Sequence, residues 1–131
     1  MNARFLLIAV LAAAVGAPFD AAPAADELVV YSGRKEMVLK PVAEAFQKKT
    51  GIQVKLKIGK TSGLANELIQ EKARPRADVF IATEAGVMEV LAKNGVLDAY
   101  VSPEARDLEP GFRDREGRWT GISSRARVLL Y

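Results

Sequence analysis

The stretch LVVYSGRKEMV, residues 28–38, decides the fold, because an apolar run stops there and a helical pattern begins at once. Leu28–Ser32 is rich in β-branched residues and is typical of a buried strand. From Lys35 to Thr50, apolar residues recur at three- and four-residue spacing, which predicts a helix with one buried stripe. The stretch therefore predicts a strand, a turn and a helix, with a hydroxyl, a glycine and a cation in the turn.

The sequence that follows repeats this unit twice. Ile52–Ile58 and Asp78–Ala82 are predicted strands, and predicted helices follow them over Thr61–Lys72 and Glu84–Asn94. Strands joined by helices of this length pair in parallel through right-handed crossovers. We therefore predict an α/β fold with an open, mostly parallel sheet and flanking helices.

Each helix has a predicted cap or stop and a predicted buried stripe. Gly51 should end the first helix, and Thr61 and Thr83 should cap the second and third. The residues expected to face the core are Val38, Val42, Ala45 and Phe46, then Leu64, Ala65, Leu68 and Ile69, then Val87, Val90 and Leu91.

The two ends of the chain differ from this repeating part. Residues 1–24 have a cation, an apolar run too short to span a bilayer and small residues at Ala22-Pro23-Ala24, which predicts a cleaved secretory signal; the alternative is an uncleaved anchor. After Val101 the pattern becomes irregular, and Trp119–Ser123 and Ala126–Tyr131 are then two further predicted strands. We expect one folded unit over residues 25–123 and the start of a further strand over residues 124–131.

Composition excludes several kinds of chemistry. The 131-residue chain has no cysteine and no histidine, which rules out disulfides, thiolate or imidazole metal ligands, and Ser-His or Cys-His catalysis. A metal site must therefore use oxygen ligands. The net charge of +3 is a mild preference for anionic partners, and without a basic helix stripe it does not indicate nucleic-acid binding.

Three strand-to-helix turns should meet at the carboxyl edge of the sheet, which is where open α/β sheets bind ligands. The turns are Ser32-Gly33-Arg34, residues 59–63 and residues 83–86. Glycine lets the backbone approach closely, and helix N-termini and arginine suit an anion. Ser32, Arg34, Thr61 and Ser62 are therefore candidate anion or crevice contacts, with ordinary helix capping as the equal alternative.

Glu84 is the acidic member of these turns. A carboxylate in the first turn of a helix is favourable in itself, so a surface glutamate that stabilises the helix dipole is one interpretation. The other is an oxygen ligand for a hard cation in the crevice. The pattern alone favours neither.

Two short motif matches do not indicate enzymes. Gly59-Lys60-Thr61 resembles the end of a phosphate-binding loop, but the first glycine of that motif is Val54 here. Ser32-Gly33-Arg34-Lys35 fits the S-x-x-K of penicillin-recognising hydrolases, yet their S-D-N and K-T-G elements are missing. A Ser-Lys hydrolase is a remote alternative, and we expect no enzymatic activity.

From Leu28 to Tyr131 the sequence resembles the N-terminal part of periplasmic ferric-iron-binding proteins. These are the substrate-binding components of iron(III) ABC transporters, among the family 1 extracellular solute-binding proteins. The segments that carry the resemblance are VVYSGRKE, FQKKTGI, RADVF and GRWTGISSRARVLLY.

The resemblance implies a type II periplasmic binding fold that holds Fe(III) between two lobes, with a synergistic anion such as carbonate or phosphate. Glu84 falls where some members have a carboxylate iron ligand, and Lys35 falls where those members have a histidine, which favours a tyrosine-and-anion site. Arg34 and Arg125 lie where an anion-pairing arginine would be useful; the alternative is a solvated charge at the crevice edge. Tyr31 and Tyr131 are expected to be structural, and the family's adjacent tyrosine pair would lie in a second lobe beyond Tyr131.

The resemblance also implies a monomeric periplasmic protein that serves an inner-membrane ABC permease and does not insert in the membrane after signal cleavage. Two alternatives remain open. The same fold binds polyamines, phosphonates, sulfate or sugars, and a chain with one lobe could be a non-transporting remnant.

Overall fold

The computed structural model of the chain describes residues 26–124. The predicted signal, the predicted strand Ala126–Tyr131 and Arg125 lie outside these residues. Helices and strands follow the predicted order, with ends that differ from the prediction by at most two residues. They are β1 Glu27–Ser32, α1 Glu36–Thr50, β2 Gln53–Ile58, α2 Thr61–Gln70, β3 Val79–Ile81 and α3 Ala85–Lys93, then 3-10 turns at Pro103–Ala105 and Pro110–Phe112. Within this range, no helix combines the length and the apolar character that a bilayer crossing requires.

The three strands form one parallel sheet in the order β2-β1-β3. At the end of β1, Ser32 pairs with Ile58 of β2 and with Ile81 of β3. All three strands therefore end at the same edge, and the predicted α/β class is confirmed.

The hydrophobic core lies between one face of the sheet and the helices α2 and α3. Its buried members are Tyr31, Leu64, Ala65, Leu68 and Leu91. These include three of the four residues predicted for the stripe of α2, and Leu91 of α3 is fully buried, at 0% exposure. By contrast, the prediction for Val90 was wrong, because half of its side-chain surface is exposed.

Tyr31 has the structural role that the sequence predicted for it. It is 3% exposed. Its hydroxyl donates a hydrogen bond to Glu71 at 3.3 Å, and the ammonium group of Lys57 lies 4.5 Å from the centre of its ring. Lys57 also pairs with Glu67, and the hydrogen bond to that carboxylate raises the pKa of Lys57 above its ordinary value. Tyr31 thus connects β1 to β2 through its ring and to the C-cap of α2 through its hydroxyl.

The other face of the sheet is only partly covered, and the predicted burial of the α1 stripe was wrong. Val38 and Val42 are 54% and 64% exposed, Phe46 is 37% exposed, and Ala45 is also exposed. The physical reason is that α1 contacts the sheet along one side, where it borders a small groove of about 160 Å³ lined by apolar side chains such as Val30 and Leu56. Val42 and Phe46 line this groove, and α1 packs against no element of residues 26–124 other than β2.

The helix termini follow the prediction at Gly51 but not at the two threonines. Gly51 ends α1 in the left-handed conformation (φ 80°), and its N–H donates to the carbonyl of Gln47. The residues at the N-caps of α2 and α3 are Lys60 and Glu84, so the predicted caps at Thr61 and Thr83 were wrong. Both hydroxyls are instead used between the turns, where they bond to each other.

The predicted strand Trp119–Ser123 is also absent from the described part of the chain. This segment makes a single antiparallel bridge, between Thr120 and Arg113. The chain turns at Gly117, and the N–H of Asp114 donates to the carbonyl of Trp119 at 3.0 Å. The pairing is therefore a short hairpin, too brief to form a ladder.

Candidate functional site

The carboxyl edge of the sheet brings the three predicted turns together. The N–H of Gly33 donates to the carbonyl of Ile81 at 2.9 Å, and the N–H of Gly59 donates to the carbonyl of Ser32 at 3.1 Å. Each bond extends the parallel pairing by one step beyond a strand end. The turns after β1, β2 and β3 are therefore neighbours, as the sequence predicted.

Close packing explains why residue 33 is a glycine. A Cβ atom at Gly33 would lie 1.9 Å from Oγ1 of Thr61, which is far inside van der Waals contact. That same Oγ1 lies 2.9 Å from Oγ1 of Thr83. This pair of hydroxyls thus joins the start of α2 to the turn after β3, and the hydroxyl of Thr61 packs against Gly33.

Ser32 and Arg34 order the first turn. The Ser32 side chain is fully buried, and its Oγ accepts a hydrogen bond of 3.0 Å from the N–H of Arg34. The guanidinium of Arg34 donates from Nη2 to Oγ of Ser123 at 2.8 Å. The first turn is therefore attached to a segment that lies far along the sequence.

An open cavity of about 660 Å³ lies at this edge, and we refer to it as the crevice. Two predicted site residues, Arg34 and Glu84, line it together. The remaining lining residues are Thr83, Ala85, Gly111, Phe112, Trp119, Gly121, Ser123 and Ser124. The crevice therefore places a guanidinium and a carboxylate among hydroxyl groups and aromatic rings.

Glu84 occupies the N-cap position of α3 in extended conformation (φ −141°), and its side chain is exposed. Its carboxylate makes no capping hydrogen bond to the helix. The position is compatible with both interpretations of Glu84, as a residue that stabilises the helix dipole and as an oxygen ligand.

Among the described residues, the predicted site residues Ser32, Thr61 and Ser62 do not line the crevice. Ser32 and Thr61 are engaged in the turn contacts described above. Ser62 is exposed in the first turn of α2, and Lys35 is exposed at the N-cap of α1. Arg125 follows directly after the last described residue.

Sequence reasoning missed the lining contributed by residues 111–124. Trp119 borders the crevice, and its indole N–H donates to a carboxylate oxygen of Glu89 on α3 at 3.0 Å. Ser123 and Ser124 add hydroxyls. One signal was present in the sequence, since T-G-I-S-S combines glycine with hydroxyls as the other turns do, but the segment was interpreted as a strand.

An ion pair stabilises the hairpin that carries Trp119. Nε of Arg118 lies 2.8 Å from Oδ2 of Asp114, and the side chain of Asp114 is 8% exposed. Hydrogen bonds from Arg118 hold the pKa of Asp114 below its ordinary value, and the same contact raises the pKa of Arg118. Both side chains are therefore charged at neutral pH.

Over residues 26–124, no three acidic side chains come close enough to hold a metal ion by themselves. Within this range, Glu84 therefore belongs to no cluster of acidic side chains.

Comparison with known proteins identifies a solute-binding family and related periplasmic proteins. A family model described as bacterial extracellular solute-binding protein matches residues 28–108. A curated relative, the Fe(3+)-binding periplasmic protein of Serratia marcescens, is 37% identical over 127 residues, which are 95% of this chain and 37% of that protein. The chain therefore spans little more than a third of the length of this relative.

Solved structures agree in fold. Iron-bound HitA from Pseudomonas aeruginosa matches with a TM-score of 0.68 and 39% identity, over 74% of this chain and 32% of that one. A Trichodesmium protein in complex with iron and citrate matches with a TM-score of 0.67 and 29% identity, over 72% of this chain and 30% of that one. These neighbours are type II periplasmic binding proteins, which confirms the fold that the resemblance implied. The chain belongs to the family of bacterial extracellular solute-binding proteins.

Proposed function

We propose that the chain is the first lobe of a periplasmic Fe(III)-binding protein that supplies an inner-membrane ABC permease. The observation that carries the proposal is that Glu84 and Arg34 line one crevice, at the edge where open α/β sheets bind ligands. The names of the Serratia relative and of the iron-bound neighbours support iron as the cargo. In this proposal the chain acts as a binding protein and has no enzymatic activity.

Glu84 contributes one carboxylate oxygen to the ferric ion, which prefers hard oxygen ligands. Its exposure in the crevice and the lack of a capping bond leave both of its oxygens accessible. Further ligands come from outside residues 26–124, and the adjacent tyrosines expected in a second lobe are the proposed source. The ion then lies between the lobes, which close about a hinge.

Arg34 binds an anion that completes the iron shell. The residue is partly buried, and a hydrogen bond to Ser123 orients its guanidinium before an anion binds. Ser32 and Thr61 support this arrangement by ordering the turns, while direct roles for Ser62 and Arg125 remain predictions. Carbonate and phosphate are the proposed anions.

The proposed cellular location follows from the resemblance to periplasmic ferric-iron-binding proteins. The first 24 residues direct export and are cleaved, and the mature protein is a periplasmic monomer without a membrane-inserted segment. Together with the family assignment, this setting requires delivery of the ligand to a permease in the inner membrane.

A different small solute is the second candidate, because the crevice contains both a carboxylate and a cation. A polyamine would pair with Glu84, and a phosphonate or sulfate with Arg34. Calorimetric titration of the purified protein with both lobes, using Fe(III) plus carbonate or phosphate, spermidine and sulfate in turn, separates these solutes. Binding of Fe(III) with its anion, and of neither spermidine nor sulfate, supports the proposal. Binding of spermidine or sulfate without binding of Fe(III) contradicts it.

A further inference from the structure

Helix α3 ends at Asn94, and the next residue is a glycine. Asn94 is the only asparagine in the chain that precedes a glycine, and both residues are exposed. Asparagine in this context is prone to deamidation, because glycine has no side chain to hinder its peptide nitrogen and allows wide backbone rotation. The C-terminus of α3 therefore contains a candidate modification site, at the opposite end of the helix from the crevice.

Deamidation of Asn94 requires water and no other reactant. The peptide nitrogen of Gly95 forms a bond to Cγ of Asn94, the bond from Cγ to Nδ2 breaks, and ammonia leaves with the proton that the peptide nitrogen gives up. Water then opens the cyclic succinimide at one of its two carbonyl groups, which leaves aspartate or isoaspartate at this position. Ring closure needs a backbone rotation at Asn94 that brings the peptide nitrogen of Gly95 to the side chain.

The folded chain keeps the two reacting groups apart. The backbone of Asn94 has φ −80° and ψ 0°. At this ψ the peptide nitrogen of Gly95 lies on the side of the nitrogen of Asn94 and is turned away from the side chain. The N–H of Gly95 donates to the carbonyl of Ala92 at 2.9 Å. Nδ2 of Asn94 donates to the carbonyl of Val90 at 2.8 Å, so the reaction requires that the end of α3 open first.

Lys72 adds a contact from outside the helix. Its ammonium group donates to the carbonyl oxygen of Asn94 at 2.7 Å. Ring closure requires rotation about the bond between Cα and the carbonyl carbon of Asn94, which moves that oxygen and breaks the hydrogen bond. Lys72 follows α2, so the bond couples the end of α2 to the end of α3. Of the three hydrogen bonds, this one can be removed by a substitution that leaves Asn94 and Gly95 unchanged.

We propose that Asn94 is a deamidation site that the folded chain keeps closed, and that Lys72 holds it closed. The reaction takes place from the opened end of α3, so its rate is the intrinsic rate multiplied by the fraction of molecules in which that end is open. Lys72 is a positioning residue that acts through the backbone of Asn94. The inference is independent of the proposed ferric function.

The modification changes the end of the helix. Either product places a negative charge beside the last carbonyl groups of α3, where it is unfavourable, and removes the Nδ2 donor. Isoaspartate also adds one backbone carbon just before Val96 and Leu97, which pack against the core. Deamidation should therefore loosen the contact between this end of α3 and the core.

The test measures deamidation by peptide mapping and mass spectrometry of the purified protein with both lobes, incubated in mildly alkaline buffer with and without urea. Asn94 should convert at least about tenfold more slowly in the folded protein than in urea. Asn66, an exposed asparagine of α2 that is followed by Glu67, should convert more slowly than Asn94 in urea. Equal rates for Asn94 in the two conditions would overturn the protection, and a lack of conversion in urea would overturn the site itself.

Lys72→Met keeps most of the aliphatic chain and removes the hydrogen bond. It should speed deamidation of the folded protein by about threefold to tenfold, the effect of one lost hydrogen bond, and leave the rate in urea unchanged. Lys40→Met, at an exposed lysine of α1, is the matched control for the loss of one positive charge. An unchanged or slower rate in folded Lys72→Met would overturn the role of Lys72.

Hydrogen exchange at the amide of Gly95 measures the opening without the chemistry. Lys72→Met should raise the exchange rate of this amide by the same factor as the deamidation rate, because both reactions need the open end of α3. Faster deamidation with unchanged exchange would overturn the inference, since Lys72 would then act on the reaction and not on the opening.

Discussion

Nη2 of Arg34 donates a hydrogen bond of 2.8 Å to Oγ of Ser123, and so joins the first strand-to-helix turn to a segment 89 residues later in the chain. Both residues line the crevice. The bond holds the guanidinium in place before any ligand arrives. Arg34 is consequently the residue at which binding of an anion is most directly tested.

Arg34→Ala should weaken anion-dependent Fe(III) binding by about tenfold to a hundredfold, because a hydrogen-bonded ion pair with the anion is lost. Ser123→Ala removes the orienting bond but keeps the charge, and should cost less than about tenfold. Competition dialysis against a ferric chelator, in the presence of phosphate, measures both. Equal losses of Fe(III) affinity for the two variants would show that Arg34 contributes only when its hydrogen bond to Ser123 is present.

Gly33→Ala should destabilise the lobe by about 1–3 kcal/mol, because the new methyl group collides with Thr61. Urea unfolding followed by circular dichroism measures the change. Gly63→Ala is the matched control: it lies inside α2 with no atom within 4 Å of the added Cβ, and should be neutral or stabilising by up to about 1 kcal/mol.

The collision can be checked by a second substitution. Thr61→Ala removes the hydroxyl that the new methyl meets, so the double variant Gly33→Ala with Thr61→Ala should recover part of the lost stability. Strictly additive losses would contradict the close contact between the two turns.

Much of this fold follows from sequence pattern, and the core of α2 shows why. Leu64, Ala65 and Leu68 recur at helical spacing, and all three are buried because the sheet and α3 lie on the same side of this helix. The pattern of α1 is as clear, yet Val42 is mostly exposed. Periodicity identifies the apolar face of a helix, but whether another element covers that face depends on tertiary structure.

The candidate site was predictable to a similar extent. Strand order and the rule that ligands lie beyond the carboxyl edge indicated the region of Arg34 and Glu84. The hydroxyls of Ser32 and Thr61 were predicted as ligand contacts, but short-range bonds within and between the turns engage them. Trp119 could not be found from pattern, because its position depends on the hairpin that Asp114 and Arg118 stabilise through a local ion pair.

The difference between the two faces of the sheet leads to a prediction about stability. Leu91→Ala should cost about 2–5 kcal/mol, because the side chain is fully buried and a cavity would remain. Val42→Ala should cost less than about 1 kcal/mol, since the side chain is 64% exposed. Parallel urea titrations compare the two variants. A loss at Val42 as large as that at Leu91 would show that the groove between α1 and the sheet is covered in solution.

The ion pair between Asp114 and Arg118 predicts a dependence of stability on pH. The pKa of Asp114 is lowered in the folded chain, chiefly by hydrogen bonds from Arg118. Its contribution is therefore complete above the unfolded value of about 3.9 and is lost as the pH falls through the folded pKa. Asp114→Asn should be less stable than the unmodified chain at pH 7 and differ less from it at pH 2–3.

Urea unfolding of both proteins across that pH range measures the effect. Asp98→Asn, at an exposed aspartate outside the ion pair, controls for the loss of one negative charge. A difference between Asp114→Asn and the unmodified chain that stays constant with pH would contradict the proposed role of the pair.

The role of Glu84 as a ferric ligand is tested most directly by the Fe(III) affinity of Glu84→Gln in the protein with both lobes, measured by competition dialysis beside Glu44→Gln, an exposed glutamate on α1. Loss of a carboxylate ligand should weaken Fe(III) binding by at least about tenfold for Glu84→Gln, while Glu44→Gln binds as the unmodified chain does. Equal affinities for all three proteins would contradict the assignment and leave Glu84 as a residue that stabilises the N-terminus of α3.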